Sequence, residues 1–529
     1  MRLIHHCKSA RPGAIAGITP GKALLPLIVC TLLALAFAGC GTRSPSSGGP
    51  VEPTPSDDDD DSSPSPVGAL EFPKGFLWGV SSSAYQTEGG NKNSDYTSFL
   101  IRRTGKDECG MADDSYHRYE VDASLAAELG VQIARIGIEW ARIEPTRGQY
   151  DEAEIAHYRD VLSALVSRGV RPMVTLHHFT NPDWVEEQGG WLNSDTVDRF
   201  VAYAKRMAQE YGDLVDYWLT FNEPMMYTSG LFLMAEYPDG GINEYGLAMQ
   251  ATVNMTFAHA RAYHAIKEAD TISASGDGPA AIVSLAQAII PGRARRPDDA
   301  DDIASAARYD YFINRMFLNS VTTGMLDVNG DGQVDDPNTT PPEGYYPELA
   351  HTLDFIGVNF YNSVSVLHFP FIMGPIAGVP CFPQAAFLCW PHGRPPYLHG
   401  DNGNPIEPDV LTSIIEEYQD AYRLPVLVTE NGIATTDDYL RTWFIIQHLK
   451  AIRAALDDGY DVLGYLHWSL IDNFEWMQAY TMRFGLYRVN YDNFERAATG
   501  ASGAFREIVR ADAVSAALLR QYAQPPPIG

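Results

Sequence analysis

Eight short apolar runs, separated by stretches with helical periodicity, constrain the fold of this 529-residue chain more than any other feature. The runs cover residues 75–82, 131–140, 171–179, 216–223, 280–286, 354–361, 425–430 and 462–470, and most are bounded by Gly, Pro, Asn or Asp, as strands buried on both faces are. Between them, residues 118–129, 153–168, 195–210, 246–269, 304–322, 410–421 and 438–457 repeat apolar side chains at three- and four-residue spacing. Strand and helix in alternation predict a parallel sheet with crossover helices. Eight such strands close on themselves as a (β/α)8 TIM barrel, an α/β fold, here a single catalytic domain over residues 69–524. In such barrels the side chains that do chemistry sit at the carboxyl ends of the strands.

Two glutamates occupy such ends. Glu223 closes Tyr217-Trp218-Leu219-Thr220-Phe221-Asn222 before Pro224, on the fourth strand, and Glu430 closes Pro425-Val426-Leu427-Val428-Thr429 before Asn431-Gly432, on the seventh. A carboxylate adds nothing to packing at a strand tip, and burying one without a partner is costly. A pair of them across a barrel mouth suits glycoside hydrolysis, in which one group protonates the leaving oxygen and the other meets the anomeric carbon.

The amino terminus follows a separate logic. Residues 1–39 hold Arg2, Lys8, Arg11 and Lys22 but no acid, and end in an apolar run, the pattern of a secretory signal. The end Leu35-Ala36-Phe37-Ala38-Gly39-Cys40 resembles the lipobox of bacterial lipoproteins, although Phe37 stands where Leu is usual. That resemblance implies lipidation of Cys40 and a cell-envelope or extracellular location. Residues 40–68 are rich in Ser, Pro and Asp and contain too little apolar surface to fold, so they read as a tether. The formal charge of −29 becomes −33 without the four basic residues of the signal, which disfavours nucleic acid as a partner. Of six cysteines, Cys109, Cys381 and Cys389 remain in the domain, and an oxidising compartment predicts a Cys381–Cys389 disulfide in a Pro-rich loop.

Two loops depart from the alternation. Asp327, Asn329, Asp331, Gln333 and Asp335 place oxygens at alternate positions around Gly332, as a calcium loop does, with Asn338 where a bidentate Glu is usual. A structural calcium is predicted there, and no cofactor for catalysis. The second loop, residues 368–401, follows the sixth strand and is placed to overhang the barrel mouth.

From about Phe72 to Ala523 the chain resembles glycoside hydrolase family 1, the β-glucosidase family. The motifs that carry the resemblance are Phe72-Pro73-Lys74-Gly75-Phe76-Leu77-Trp78-Gly79, Ser83-Ala84-Tyr85-Gln86-Thr87-Glu88-Gly89, Ala134-Arg135-Ile136-Gly137-Ile138-Glu139-Trp140, Thr175-Leu176-His177-His178-Phe179, the two glutamate strands, and Trp468-Ser469-Leu470-Ile471-Asp472-Asn473-Phe474-Glu475-Trp476. The resemblance implies a retaining β-glycosidase of β-glucosidase type, releasing a terminal non-reducing β-D-glucosyl residue from oligosaccharides or aryl glycosides. It implies Glu223 as acid/base, Glu430 as nucleophile, and Arg135 and Tyr361 as hydrogen-bond partners of the nucleophile. Gln86, His178, Asn222, Asn359, Glu475 and Trp476 are the implied sugar contacts, with Trp468 as the platform under the ring. Phe179 stands where Trp is common, and Thr180-Asn181 replace the more usual Asp-Leu. A transglycosylase of the same family and an inactive carbohydrate-binding lipoprotein are the alternative readings, and the residues leave glucose, galactose and fucose open.

Overall fold

The computed structural model describes residues 68–527 apart from 235, 237–239, 277, 384–385 and 391–396; the signal, the tether up to residue 67 and Cys40 lie outside the described residues. Eight parallel strands close into a barrel: β1 (Leu77–Ser81), β2 (Ile133–Gly137), β3 (Arg171–Thr175), β4 (Tyr217–Asn222), β5 (Ile282–Ala288), β6 (Ile356–Asn359), β7 (Val426–Asn431) and β8 (Val462–Trp468). Each strand pairs with its sequence neighbours, and β8 pairs with β1 from Gly464 opposite Leu77 to Trp468 opposite Ser81. All eight fall within the apolar runs predicted from the sequence, apart from a two-residue extension of β5 and one residue of β7.

The barrel interior is filled by a layer with one side chain from or beside each strand: Leu77, Ile133, Met173, Leu219, Ala286, Phe355, Leu427 and Leu466. Alternate residues, such as Trp78, Val80, Ala134 and Val174, face outward into the larger core under the helices. Each crossover helix presents an apolar stripe to the sheet. In α3 (Asp195–Tyr211) the buried set Val197, Phe200, Ala204, Met207 and Tyr211 follows the helical repeat. Helix α1 is Ser115–Leu129, α2 Glu152–Val166, α4 Tyr245–Ala269, α5 Ala300–Asp310, α6 Asp409–Tyr422, α7 Asp438–Asp457 and α8 Gly500–Ala511. Helices α2, α5 and α7 start at aspartates whose carboxylates accept from the next backbone amides, Asp151, Asp299 and Asp437.

The single helix predicted over 304–322 is instead three pieces. A π turn, Tyr311–Arg315, joins α5 to a second helix, Met316–Thr323. Wider turns release carbonyls from the helix ladder, and a buried side chain takes one up here: Gln287 Nε2 donates to Ile313 O at 2.8 Å, while Asn314, within the turn, bridges to the backbone of Ile290. A three-stranded sheet of Gly292–Ala294, Val364–His368 and Gly378–Pro380 stands beside the barrel, and past it Cys381 and Cys389 are joined by a disulfide with Cα atoms 5.9 Å apart. Cys109 is a buried free thiol.

The loop expected to hold calcium is closed by its own hydrogen bonds. Asp327 accepts from Gly330 N, Gly332 N and Tyr311 OH, and Glu343 accepts from the amides of Val328, Asn329, Asp335 and Asp336. Asn329 and Asp331 cap the next turns, accepting from Asp331 N and Gln333 N. Acceptor oxygens at alternate positions thus staple a turn, and among the described residues no group of three or more His, Cys, Asp or Glu side chains is gathered to hold a metal ion. A melting temperature unchanged by EDTA would count against calcium in this loop, and a calcium-dependent rise would support it.

Candidate active site

The strand ends that carry Glu223 and Glu430 are irregular, and the irregularity aims the side chains. Register shifts fall between Leu219 and Asn222 on β4, between Val358 and Asn359 on β6, and between Val428 and Asn431 on β7. A bulge at a strand end turns a side chain that would point into the wall toward the mouth instead. Glu223 itself adopts the left-handed conformation, φ 45° and ψ 58°, which costs a non-glycine residue about 1–2 kcal/mol. It is held there by its amide, which donates to Ala286 O at 2.7 Å, and by Pro224 opening the next helix. Gly432 is required beside the other glutamate, because a Cβ there would lie 1.9 Å from the carbonyl oxygen of Trp468.

Arg135, fully buried on β2, organises the pair. Its guanidinium forms a salt bridge to Glu430 Oε1, donates from Nε to Thr175 Oγ1 at 2.9 Å and from Nη2 to Asn222 Oδ1 at 2.6 Å. Tyr361 OH donates to the other oxygen of Glu430 at 2.7 Å. Burial and the two neighbouring glutamates push the Tyr361 phenol well above its usual range, so it stays a donor. Glu430 is therefore fixed at both oxygens by side chains from two different strands' ends.

Glu223 is arranged differently. Among the described residues its side chain is bound by Asn359, whose Nδ2 donates at 2.8 Å and also reaches Asn222 Oδ1 at 3.0 Å. Asn359 is in turn oriented by Thr429, which donates to its Oδ1 at 2.7 Å. Withdrawal from water, and secondly the charge of Glu430, push the Glu223 carboxyl up to about 8, so it holds its proton at neutral pH. Two carboxyls in one pocket with unlike environments divide naturally into a proton donor and a salt-bridged anion.

The remaining predicted contacts gather around this pair. Asn222 Nδ2 donates to His178 Nε2 at 3.1 Å; burial holds His178 neutral, which leaves that nitrogen free to accept. The His178 ring lies between Trp468 and Trp476, at 6.0 and 5.9 Å and within 28° and 19° of parallel. Gln86 donates to Phe474 O at 2.9 Å, Asn473 Oδ1 at 3.2 Å and Glu475 Oε2 at 3.3 Å, and accepts from Ser83. Glu475 is pushed up to about 8 by burial and by Glu430. Sequence reasoning missed Thr175, Thr429, Asn473 and Ser83, which touch these groups rather than the pocket. Their only signal was a polar residue within or beside each motif.

Known proteins resemble this chain over most of its length. A family model described as "Glycosyl hydrolase family 1" matches residues 69–513. A β-galactosidase of Pyrococcus woesei is 33% identical over 519 residues, covering 84% of this chain and 98% of that protein. β-Glucosidase 20 of Arabidopsis thaliana is 30% identical over 472 residues, covering 80% and 86%. Among solved structures, a β-glycosidase from Pyrococcus horikoshii superimposes with a TM-score of 0.75 at 29% identity, covering 86% of this chain and 99% of that one.

Proposed function

The chain belongs to glycosyl hydrolase family 1 and is a retaining β-glycosidase, and from that premise we propose that Glu430 is its nucleophile and Glu223 its acid/base, acting on a terminal β-D-glucosyl residue. The observation that carries the proposal is the unequal treatment of the two carboxyls: Glu430 is bound at both oxygens by Arg135 and Tyr361, while Glu223 keeps a proton in a pocket that offers it one amide. Glu430 attacks the anomeric carbon as Glu223 protonates the glycosidic oxygen, and the aglycone leaves. The ester at Glu430 removes the charge that raised Glu223, so Glu223 then takes a proton from water, which attacks the same carbon from the other face. Two displacements return the β-anomer.

Asn222, joined to both Arg135 and Asn359, would meet the sugar hydroxyl next to the anomeric carbon. Gln86, His178, Glu475 and Trp476 would read the other hydroxyls over the Trp468 face, as members of the family do. Glu475 offers a phosphate group no positive charge to pair with, which disfavours a phosphorylated sugar.

Proton NMR of p-nitrophenyl β-D-glucoside hydrolysis tests the reaction course: β-glucose is expected to appear first, and α-glucose first would overturn it. Tyr361→Phe removes one of the two donors on Glu430 while keeping the ring. A hydrogen bond to a charged group is worth about 1.5–3 kcal/mol, so kcat is expected to fall about 10- to 100-fold with the fold unchanged. The amino-terminal reading extends the proposal to the envelope: export by residues 1–39, lipidation of Cys40, and a tether carrying the barrel off the membrane. Incorporation of labelled palmitate, abolished by Cys40→Ser, is the expected result, and an unlabelled protein would remove the anchor from the account.

A further inference from the structure

Thr180 and Asn181, the two residues that depart from the family pattern after His178 and Phe179, are both buried and both bound to buried carboxylates. Thr180 donates to Glu139 at 3.0 Å from each of its oxygens. Asn181 does more, because its amide uses all four of its hydrogen-bonding positions. Nδ2 donates to Asp95 Oδ2 at 2.8 Å and to Tyr227 OH at 2.9 Å, and Oδ1 accepts from Trp191 Nε1 at 3.0 Å and from His177 Nε2 at 3.2 Å. Its backbone is bound to the same aspartate: Asn181 N donates to Asp95 Oδ1 at 2.9 Å, and Asp95 N donates to Asn181 O at 3.0 Å. Asp95 opens the helix Asp95–Thr104, so this pairing ties the loop after β1 to the turn after β3.

The contacts lead from there to the sugar pocket. Phe179, between His178 and Thr180, has a left-handed backbone at φ 71°, a conformation that an aromatic residue keeps only where its surroundings fix it. Its ring lies parallel to Tyr227, within 11° at 6.3 Å, and touches Trp476 at 5.3 Å and His178 at 4.9 Å. Tyr227 is the ring whose hydroxyl Asn181 holds. We infer that Asn181, fixed by Asp95, is a positioning residue that sets the aromatic wall of the sugar pocket, Phe179, His178 and Trp476, through Tyr227 and the backbone of the turn. The inference rests on the assignment of that pocket to the sugar under the proposed function. Burial, and secondly the charge of Glu186, raise the Asp95 carboxyl to about 8, while the bonds from Asn181 pull it the other way.

The wall would bind the sugar alike in the ground state and the transition state, so its displacement raises KM more than it lowers kcat. Asp95→Asn and Asn181→Asp each set like groups against one another, whereas the double exchange keeps every contact with the Tyr227 hydroxyl turned to donate. Measured with p-nitrophenyl β-D-glucoside and with D-glucose as competitive inhibitor, each single variant is expected to raise KM and Ki about tenfold with kcat changed less than about threefold, and the double exchange to restore both. Tyr227→Phe, which keeps the ring, is expected to move KM the same way by about threefold and decides the matter should neither single variant fold. Folded variants with lowered melting temperatures but wild-type KM and Ki, or a folded double exchange that keeps a single variant's KM, would reduce Asp95 and Asn181 to a purely structural role. A wild-type enzyme without β-glycosidase activity overturns the functional reading and this inference together; an active one with unchanged variants overturns only this inference.

Discussion

Glu430→Ala is expected to abolish turnover, lowering kcat on the order of 10⁵-fold while the protein stays folded. The side chain is fixed at both oxygens, by the Arg135 guanidinium and the Tyr361 hydroxyl. That fixation orients one carboxylate without any partner needing to move during attack, which is the condition for a large effect from a single residue. Folding is a separate question, since the change leaves the Arg135 charge buried. Arg135 keeps its bonds to Thr175 and Asn222, and the emptied space opens to the pocket, where water can solvate it. Steady-state kinetics with p-nitrophenyl β-D-glucoside, beside a melting curve, separates loss of chemistry from loss of fold. A variant within tenfold of wild type would remove Glu430 from the nucleophile's role.

Glu223→Ala is expected to divide substrates by their leaving groups. An alkyl or sugar aglycone needs a proton as the bond breaks, so hydrolysis of cellobiose falls about 10³-fold or more, whereas an activated aryl aglycone leaves with little help. With the aryl substrate the glycosyl-enzyme accumulates for want of a base, and azide, a small anion needing none, is expected to restore turnover and release a β-glucosyl azide. The same carboxyl sets the alkaline limb of the wild-type profile. Its pKa is raised to about 8, so the proton donor is intact below that pH and lost above it; kcat/KM is expected to fall as pH rises through about 8. Glu475 also lies near 8, and the limb is that of interacting groups rather than of one residue. Rescue by azide with an α-product, or no rescue, would count against the acid/base assignment.

Much of this was legible in the chain. Strands buried on both faces leave an unbroken apolar run, and eight of them separated by amphipathic stretches admit few folds. What the runs could not show depends on contacts between distant segments. At the π turn Tyr311–Arg315, Gln287 takes up the Ile313 carbonyl and Asn314 binds the backbone of Ile290, and neither residue announces those distant partners. The bulges at Asn222, Asn359 and Glu430 are likewise set by neighbouring strands. Within the site, residues that face the pocket were found by their motifs, while Thr175 and Thr429, which orient Arg135 and Asn359, look like ordinary strand threonines. In the acidic loop, oxygens at alternate positions serve backbone amides, and the distant Glu343 joins them, a contact its own segment does not announce.

The division of labour between the carboxyls comes down to which one becomes an ester. A 2-deoxy-2-fluoro-β-glucosyl fluoride slows both steps but the second more, so the intermediate is trapped on the enzyme. Intact-mass analysis followed by peptide mapping is expected to find one fluoroglucosyl group per chain, on Glu430 and absent from Glu430→Ala. A label on Glu223 or any other residue, or an enzyme that turns over β-glucosides yet is never labelled, would contradict the assignment.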